Sequence, residues 1–171
     1  RALENLRLAC RWGVDAVIVQ DWGLLALCRR SLPDLPLHGS TQMTIHSRGG
    51  VAEAARLGIR CAVLGRELSR DDIACLCQDS DVAIEVFGHG ALCMCWSGQC
   101  AMSALIGQRS GNRGACAQPC RLPYRLDGGE TGYPLSLKDA ALCDCLSDLQ
   151  EMGVASLKLE GRMKRPEYVA V

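Results

Sequence analysis

The chain has 171 residues, a length typical of one domain, and its 19 basic residues balance 19 acidic residues. A net charge of zero argues against a protein that coats nucleic acid over its whole surface, and 49% hydrophobic residues exclude a disordered chain. No apolar run approaches the roughly 18 residues of a membrane span, so no membrane partner is expected. Because the sequence starts at Arg1 inside a helical pattern and shows no secretory signal, we expect one domain fragment, 1–171, of a longer cytoplasmic protein.

Apolar, β-branched runs recur along the first 90 residues. They occupy residues 14–21, 35–42, 60–67 and 81–90. Their polar ends are Gln20, Gln42, Arg66 and His89, which are 22, 24 and 23 residues apart. Helix-period segments lie between the runs, at 47–57 and at 69–77, where Ser69 and Asp72 have the spacing of a capping box. One strand, one helix and two turns fit this period.

The same pattern returns near the end of the sequence. A helix is predicted over 136–152, ended by Gly153, and a strand over 154–162. Five strands that alternate with helices predict an α/β fold with a parallel sheet, and polar residues at the strand ends are typical of α/β barrels. We therefore predict the C-terminal part of a (β/α)8 TIM-like barrel. An open doubly wound sheet is the alternative, without a dinucleotide site because no glycine-rich phosphate loop follows the strands.

The segment 88–124 does not fit the repeat and is dense in glycine and cysteine. Its cysteines are Cys93, Cys95, Cys100, Cys116 and Cys120. Zinc sites usually combine two short Cys-x2–4-Cys knuckles, and only Cys116 and Cys120 form one, whereas an iron–sulfur cluster is freer in spacing. An iron–sulfur site, a zinc site and coincidence all remain open from the spacing alone. The other seven cysteines lie in helix or strand patterns and are predicted to pack as small hydrophobes.

Long motifs of this sequence closely resemble the U32 peptidase family, also called collagenase-like proteases. They are EVFGHGALC at 85–93, SGQC at 97–100, SGNRGACAQPCRLPY at 110–124, SLKD at 136–139 and SLKLEGRMKRPEYVA at 156–170. The resemblance spans essentially the whole chain and implies a barrel core with a cysteine-rich iron–sulfur insertion.

The resemblance implies two different activities. The family name implies a peptidase, whereas other members carry a [4Fe–4S] cluster and hydroxylate a tRNA uridine or an rRNA cytidine with prephenate as oxygen donor. Carried over residue by residue, the cluster ligands are Cys93, Cys100, Cys116 and Cys120, with Cys95 outside the set. The sequence lacks the HExxH and GxSxG motifs of known hydrolases, which favours the RNA hydroxylase. A peptidase and a non-enzymatic cluster-binding module are the alternatives.

Charged residues beside the cysteines complete the predicted site. Candidate substrate-binding residues, suited to carboxylate or phosphate, are Arg109, Arg113 and Arg121, although they could equally neutralise the cluster. Candidate catalytic residues, predicted to share strand faces in pairs, are Glu85 with His89 and Lys158 with Glu160. A structural ion pair is the alternative for these residues. Arg162, Lys164 and Arg165 form a basic run that is usually solvated loop but could meet RNA phosphate. We expect the active site at the carboxyl ends of the strands, with the two catalytic strands as neighbours.

Overall fold

Strands and helices alternate along the first 91 residues of the computed structural model, which describes residues 1–125, 127–161 and 164–170. The strands are β1 (Val17–Val19), β2 (Leu37–Gly39), β3 (Cys61–Val63), β4 (Ala83–Ala91), β5 (Tyr124–Arg125), β6 (Thr131–Gly132), β7 (Asp139–Ala141) and β8 (Ser156–Leu159). The helices are α1 (Ala2–Arg11), α2 (Trp22–Ser31), α3 (Arg48–Arg56), α4 (Arg70–Gln78), α5 (Met102–Gly107), α6 (Leu146–Glu151) and α7 (Pro166–Ala170). In the described ranges, no helix has both the length and the apolar character needed to cross a membrane.

The five predicted strands form one parallel sheet. Its order is β1-β2-β3-β4-β8, and β7 adds an antiparallel pairing to the last residues of β4. The catalytic strands β4 and β8 are neighbours, with Glu85 opposite Ser156 and Phe87 opposite Lys158, as predicted. The short strands β5 and β6 form a separate hairpin.

The two faces of this sheet have different chemistry. Alternate strand residues on one face join side chains of α1–α4 and α6 in a single apolar cluster. Its strand members include Val19, Leu37, Ala62, Ile84 and Val86. Neighbouring residues of a strand point to opposite sides, so the residues between these apolar ones lie on the other face. That face carries more polar side chains. Those residues include His38, Cys61, Glu85, Ser156 and Lys158.

Helices α1–α4 and α6 pack on one face, as the outer helices of a barrel do, whereas a doubly wound sheet buries both faces under helices. This one-sided packing favours the barrel interpretation over the doubly wound alternative. Within the described ranges β1 and β8 are the two edges of the sheet and do not pair with each other. The parallel α/β sheet is thus confirmed, and closure into an eight-stranded barrel stays a prediction.

Side-chain caps fix where the helices begin. The carboxylate of Asp21 accepts a hydrogen bond from the backbone N–H of Leu24 at 2.7 Å at the start of α2. Ser69 and Asp72 form the predicted capping box at the start of α4. Gly153 follows α6 with φ of +90°, which confirms the predicted glycine stop.

The helix predicted over 136–152 is wrong in its first half. Residues Asp139–Ala141 form β7, and the helix begins only at Leu146. Because β4 runs past the end of β3, its last residues have backbone groups free to pair, and β7 satisfies them. Asp139 also binds Arg121, which holds this segment at the cysteine-rich part of the chain.

The prediction that seven cysteines pack as hydrophobes is confirmed for three of them. Cys28 and Cys61 are buried, and Cys77 is half-buried against the apolar cluster. Burial raises the pKa of Cys61 to about 11, together with the negative charge of Glu85, whereas the positive charge of Lys158 lowers it. The prediction is wrong for Cys10, Cys75 and Cys143, which are exposed, and Cys145 is half-buried.

Candidate active site

The cysteines of the segment 88–124 line one cavity beyond the carboxyl end of β4. The cavity has a volume of about 220 Å³ and lies against α5 and the turns Gly111–Arg113 and Pro119–Arg121. Its cysteines are Cys93, Cys95, Cys100, Cys116 and Cys120. The sequence motifs of this segment therefore bring five thiols to one place, and we call this space the cysteine cavity.

The Cys120 thiol is affected by three of the other cysteines. Burial raises the pKa of the Cys120 thiol, and negative charge on Cys116, Cys93 and Cys100 raises it further, while Arg121 lowers it. Cys95 is exposed and has no part in this shift. The structure places all five cysteines at one cavity, and the choice of four of them as ligands stays a prediction.

These thiols surround the cavity and do not converge on a point. Four thiolates at about 2.3 Å from one Zn²⁺ would lie about 3.8 Å from each other. In the part of the chain that the structure describes, no three His, Cys, Asp or Glu side chains are close enough to hold a single metal ion. The described thiols therefore do not form the compact donor set of a single zinc ion.

Ser97 anchors the cysteine-rich segment to the ends of β2 and β3. Its side chain is fully buried and accepts a hydrogen bond from the backbone N–H of Arg66 at 3.1 Å. Its backbone N–H donates to the carboxylate of Glu67, and its carbonyl accepts from the hydroxyl of Thr44 at 2.9 Å. The segment that carries Cys93 to Cys100 is therefore held by bonds that do not involve the thiols.

Gly98 is expected to tolerate no side chain. It has φ of +81°, and a Cβ added there would lie 2.8 Å from the carbonyl oxygen of Gln42. A left-handed backbone costs a non-glycine residue about 1–2 kcal/mol, and overpacking costs about 1–3 kcal/mol more. We therefore expect Gly98→Ala to destabilise the protein by about 2–5 kcal/mol in urea unfolding followed by circular dichroism.

Gly13→Ala is the matched control, because Gly13 has φ of +72° but open space around its Cβ position. It shares the backbone cost and lacks the close contact. Equal losses of stability in the two variants would contradict the packing of Gly98 on Gln42.

A second cavity, the polar pocket, lies over the polar face of the sheet at the carboxyl ends of its strands. It has a volume of about 560 Å³, which is within the range of small-molecule sites. Its polar side chains are Gln20, Ser40, Thr41, Gln42, Arg66, Asn112, Arg113, Lys158 and Glu160. The predicted position of the active site, at the strand ends, thus coincides with a pocket of suitable size.

Lys158 and Glu85 form an ion pair on the floor of this region. The ammonium of Lys158 donates to the Glu85 carboxylate at 2.9 Å, and the hydroxyl of Ser156 donates to the other carboxylate oxygen at 3.0 Å. The Glu85 side chain is 12% exposed and that of Lys158 is 31% exposed. Glu85 is therefore held by its partners, whereas Lys158 also lines the pocket.

Arg66 lies in the wall that the two cavities share, and our sequence analysis did not select it as a site residue. One terminal nitrogen of its guanidinium donates to Cys93 Sγ at 3.2 Å, and the other donates to Glu160 Oε2 at 2.7 Å. The guanidinium carbon also lies 3.8 Å from the centre of the Phe87 ring. Glu160 thereby lies on the same side of the site as Cys93, as predicted.

The three predicted substrate-binding arginines have different surroundings. Arg113 lines the polar pocket. Arg121 lines the cysteine cavity, where its guanidinium binds Asp139 at 3.2 Å and the carbonyl of Leu92 at 3.0 Å. Arg109 donates to the carbonyl of Ala115 at 3.0 Å and lines neither cavity. Of the three, Arg113 is the one placed to meet a ligand in the polar pocket.

His89 does not share a strand face with Glu85. The register shifts between Phe87 and His89, so His89 lies opposite Leu159 and its ring packs 5.1 Å from that of Tyr168. One extra residue in a strand reverses the alternation of side chains, which the sequence pattern did not reveal.

One residue of the predicted basic run lies at the cysteine cavity. Lys164 lines this cavity, and its ammonium lies 5.2 Å from the centre of the Tyr168 ring. Arg165 is exposed, and Arg162 lies outside the described residues.

The model of the family described as Peptidase family U32 matches residues 1–171. The chain belongs to peptidase family U32. The resemblance stated from the motifs is therefore confirmed over the whole sequence.

Relatives of this chain are named for two kinds of activity, hydroxylation of RNA and cleavage of collagen. The 23S rRNA 5-hydroxycytidine C2501 synthase of Escherichia coli is 44% identical over 92% of this chain and 24% of that protein. The tRNA hydroxylation protein P1 of Bacillus subtilis is 38% identical over 92% of this chain and 40% of that protein. A collagenase of Porphyromonas gingivalis is 35% identical over 91% of this chain and 42% of that protein. The chain thus spans 24% to 42% of the length of these relatives.

A solved U32 structure supports the fold. The U32 peptidase Mk0906 matches with a TM-score of 0.57 over 94% of this chain and 60% of that chain, at 13% identity. At this identity the likeness concerns the fold alone, a mixed α/β fold with a mostly parallel sheet.

Proposed function

We propose that this U32 chain carries an iron–sulfur site and the adjoining substrate pocket of an RNA hydroxylase that acts on a pyrimidine base. The observation that carries this proposal is the wall shared by a cavity of cysteines and a polar pocket at the strand ends. The relatives named for hydroxylation of rRNA and tRNA support RNA as the substrate.

Cys93, Cys100, Cys116 and Cys120 would hold a [4Fe–4S] cluster in the cysteine cavity. Four cysteine thiolates are the usual donor set for this cluster, and all four of these thiols line the same cavity. The cluster would supply one-electron redox chemistry beside the polar pocket. Because the pKa of Cys120 is raised, loading the site would require release of a proton from this thiol.

The polar pocket would hold the oxygen donor, a small dicarboxylate such as prephenate. Arg113 offers a fork that binds a carboxylate through two hydrogen bonds, and Lys158 offers a compact positive charge. Glu85 would keep the Lys158 ammonium in place through the 2.9 Å contact. Glu160 lines both cavities. Its carboxylate would lie between the bound dicarboxylate and the RNA base, where it could accept a proton or a hydrogen bond.

A peptidase is the second candidate, supported by the family name and by the collagenase relative. A thiol peptidase would need a histidine beside its cysteine. His89 packs on Tyr168 and lines neither cavity, so the geometry does not favour a pair of His89 with Cys93.

Nucleoside mass spectrometry separates the two candidates. We expect rRNA or tRNA from a deletion strain to lack one hydroxylated pyrimidine, which returns on complementation with the full-length gene. Unchanged RNA nucleosides together with a loss of gelatin cleavage would instead support the peptidase.

A further inference from the structure

Arg66 has a different environment at each nitrogen of its guanidinium. One terminal nitrogen donates to Cys93 Sγ and the other to Glu160, while Nε is buried without a hydrogen-bond partner. The side chain is only 11% exposed. Little water can therefore replace the contact of the guanidinium with the sulfur. A buried N–H without a partner is unfavourable, so the other contacts of the guanidinium must hold it in this position.

We propose that Arg66 is a positioning residue that raises the reduction potential of the cluster through its hydrogen bond to Cys93, with Glu160 as the opposing charge. The inference rests on the proposed function, since it requires a cluster on Cys93. It concerns a residue that the predicted ligand and substrate sets do not contain.

The direction of the effect follows from charge. Reduction adds an electron to a group already bound by four thiolates, so a donated hydrogen bond and a nearby positive charge stabilise the reduced form. The guanidinium of arginine has only donor groups and no acceptor, so Arg66 meets the sulfur as a donor. The carboxylate of Glu160, 2.7 Å from the same guanidinium, opposes part of this positive charge.

The geometry also makes the donor rigid. The guanidinium lies on the face of Phe87, which is itself buried, and its two terminal nitrogens are bound to Cys93 and to Glu160. A fork fixed in this way aims one N–H at the sulfur with little loss of side-chain freedom.

The test is the midpoint potential of the reconstituted full-length protein, measured by stepwise reduction with dithionite and electron paramagnetic resonance. We expect Arg66→Met to lower the potential and Glu160→Gln to raise it. Arg56→Met is the matched control, because Arg56 also makes a two-bonded pair, with Glu53, on the outer face of α3. We expect its potential to equal that of the wild type.

Iron and sulfide content distinguishes the possible failures. Unchanged potentials in Arg66→Met and Glu160→Gln at full cluster content, or shifts of both in the same direction, would overturn the inference and leave the proposed function intact. A wild-type protein without iron and sulfide would overturn both. If Arg66→Met loses the cluster, Arg66→Gln takes its place, since it removes the positive charge and keeps a polar side chain. A lowered potential of Arg66→Gln then supports the inference, and an unchanged one overturns it.

Discussion

Replacing Cys93, Cys100, Cys116 or Cys120 singly with serine is expected to abolish iron and sulfide binding by the full-length protein. Each thiol lines the cysteine cavity, and a serine hydroxyl is a far weaker ligand for iron than a thiolate. Modification of RNA should be lost in each of these variants. Iron and labile sulfide analysis after anaerobic reconstitution measures the first effect, and nucleoside mass spectrometry the second.

Cys95→Ser is the matched control within the same cavity. Cys95 lines the space but is exposed, and it does not contribute to the pKa shift of Cys120 as the other three cysteines do. We expect this variant to keep full iron and sulfide content. If Cys95→Ser loses the cluster and one of the other four variants keeps it, the proposed ligand set is wrong and Cys95 is a ligand. Stoichiometric zinc without labile sulfide in the wild type would exclude an iron–sulfur site.

Replacing Lys158 with methionine is expected to lower RNA modification by about a hundredfold or more, the scale of losing one group that stabilises negative charge in a site. The variant keeps the length of the side chain but leaves the Glu85 carboxylate, 12% exposed, with Ser156 as its remaining side-chain donor. Leaving this largely buried acceptor without its ammonium partner should also cost about 1–3 kcal/mol of stability. Urea unfolding measures the loss of stability, and cluster content should stay unchanged.

The double variant Glu85→Gln, Lys158→Met separates a site residue from a structural pair. Removing both charges should restore most of the stability, because no unpaired carboxylate remains. Modification should stay low, because the pocket still lacks the ammonium. If modification returns together with stability, the pair is structural and Lys158 has no role in the site.

Local signals in the sequence were enough to predict the sheet and most helices. The apolar runs became β1 to β4 and β8, since continuous β-branched segments are stable only when buried in a sheet. Ser69 with Asp72, and Gly153, fixed helix ends by bonds within a few residues. The four cysteines could be grouped because long motifs surround them.

Features that depend on distant residues could not be predicted in the same way. Strand β7 exists because it pairs with the free end of β4, and the helical pattern of 136–152 does not record that pairing. The partners of Arg66 are 27 and 94 residues away in the chain. One signal in the sequence could have found Arg66. This residue is the polar end of the third apolar run, at the same repeat of 22 to 24 residues as Gln20, Gln42 and His89 at the ends of the other runs.

The bonds that hold Ser97 and Gly98 have a consequence for the order in which the protein is made. Their partners Gln42, Thr44, Arg66 and Glu67 all precede them in the chain. Because synthesis runs from the N-terminus, the platform for the cysteine-rich segment is complete before Cys100 leaves the ribosome. Glu160 emerges only after Cys120, the last of the four proposed ligands, so all four thiols are made before the residue that completes the wall between the two cavities.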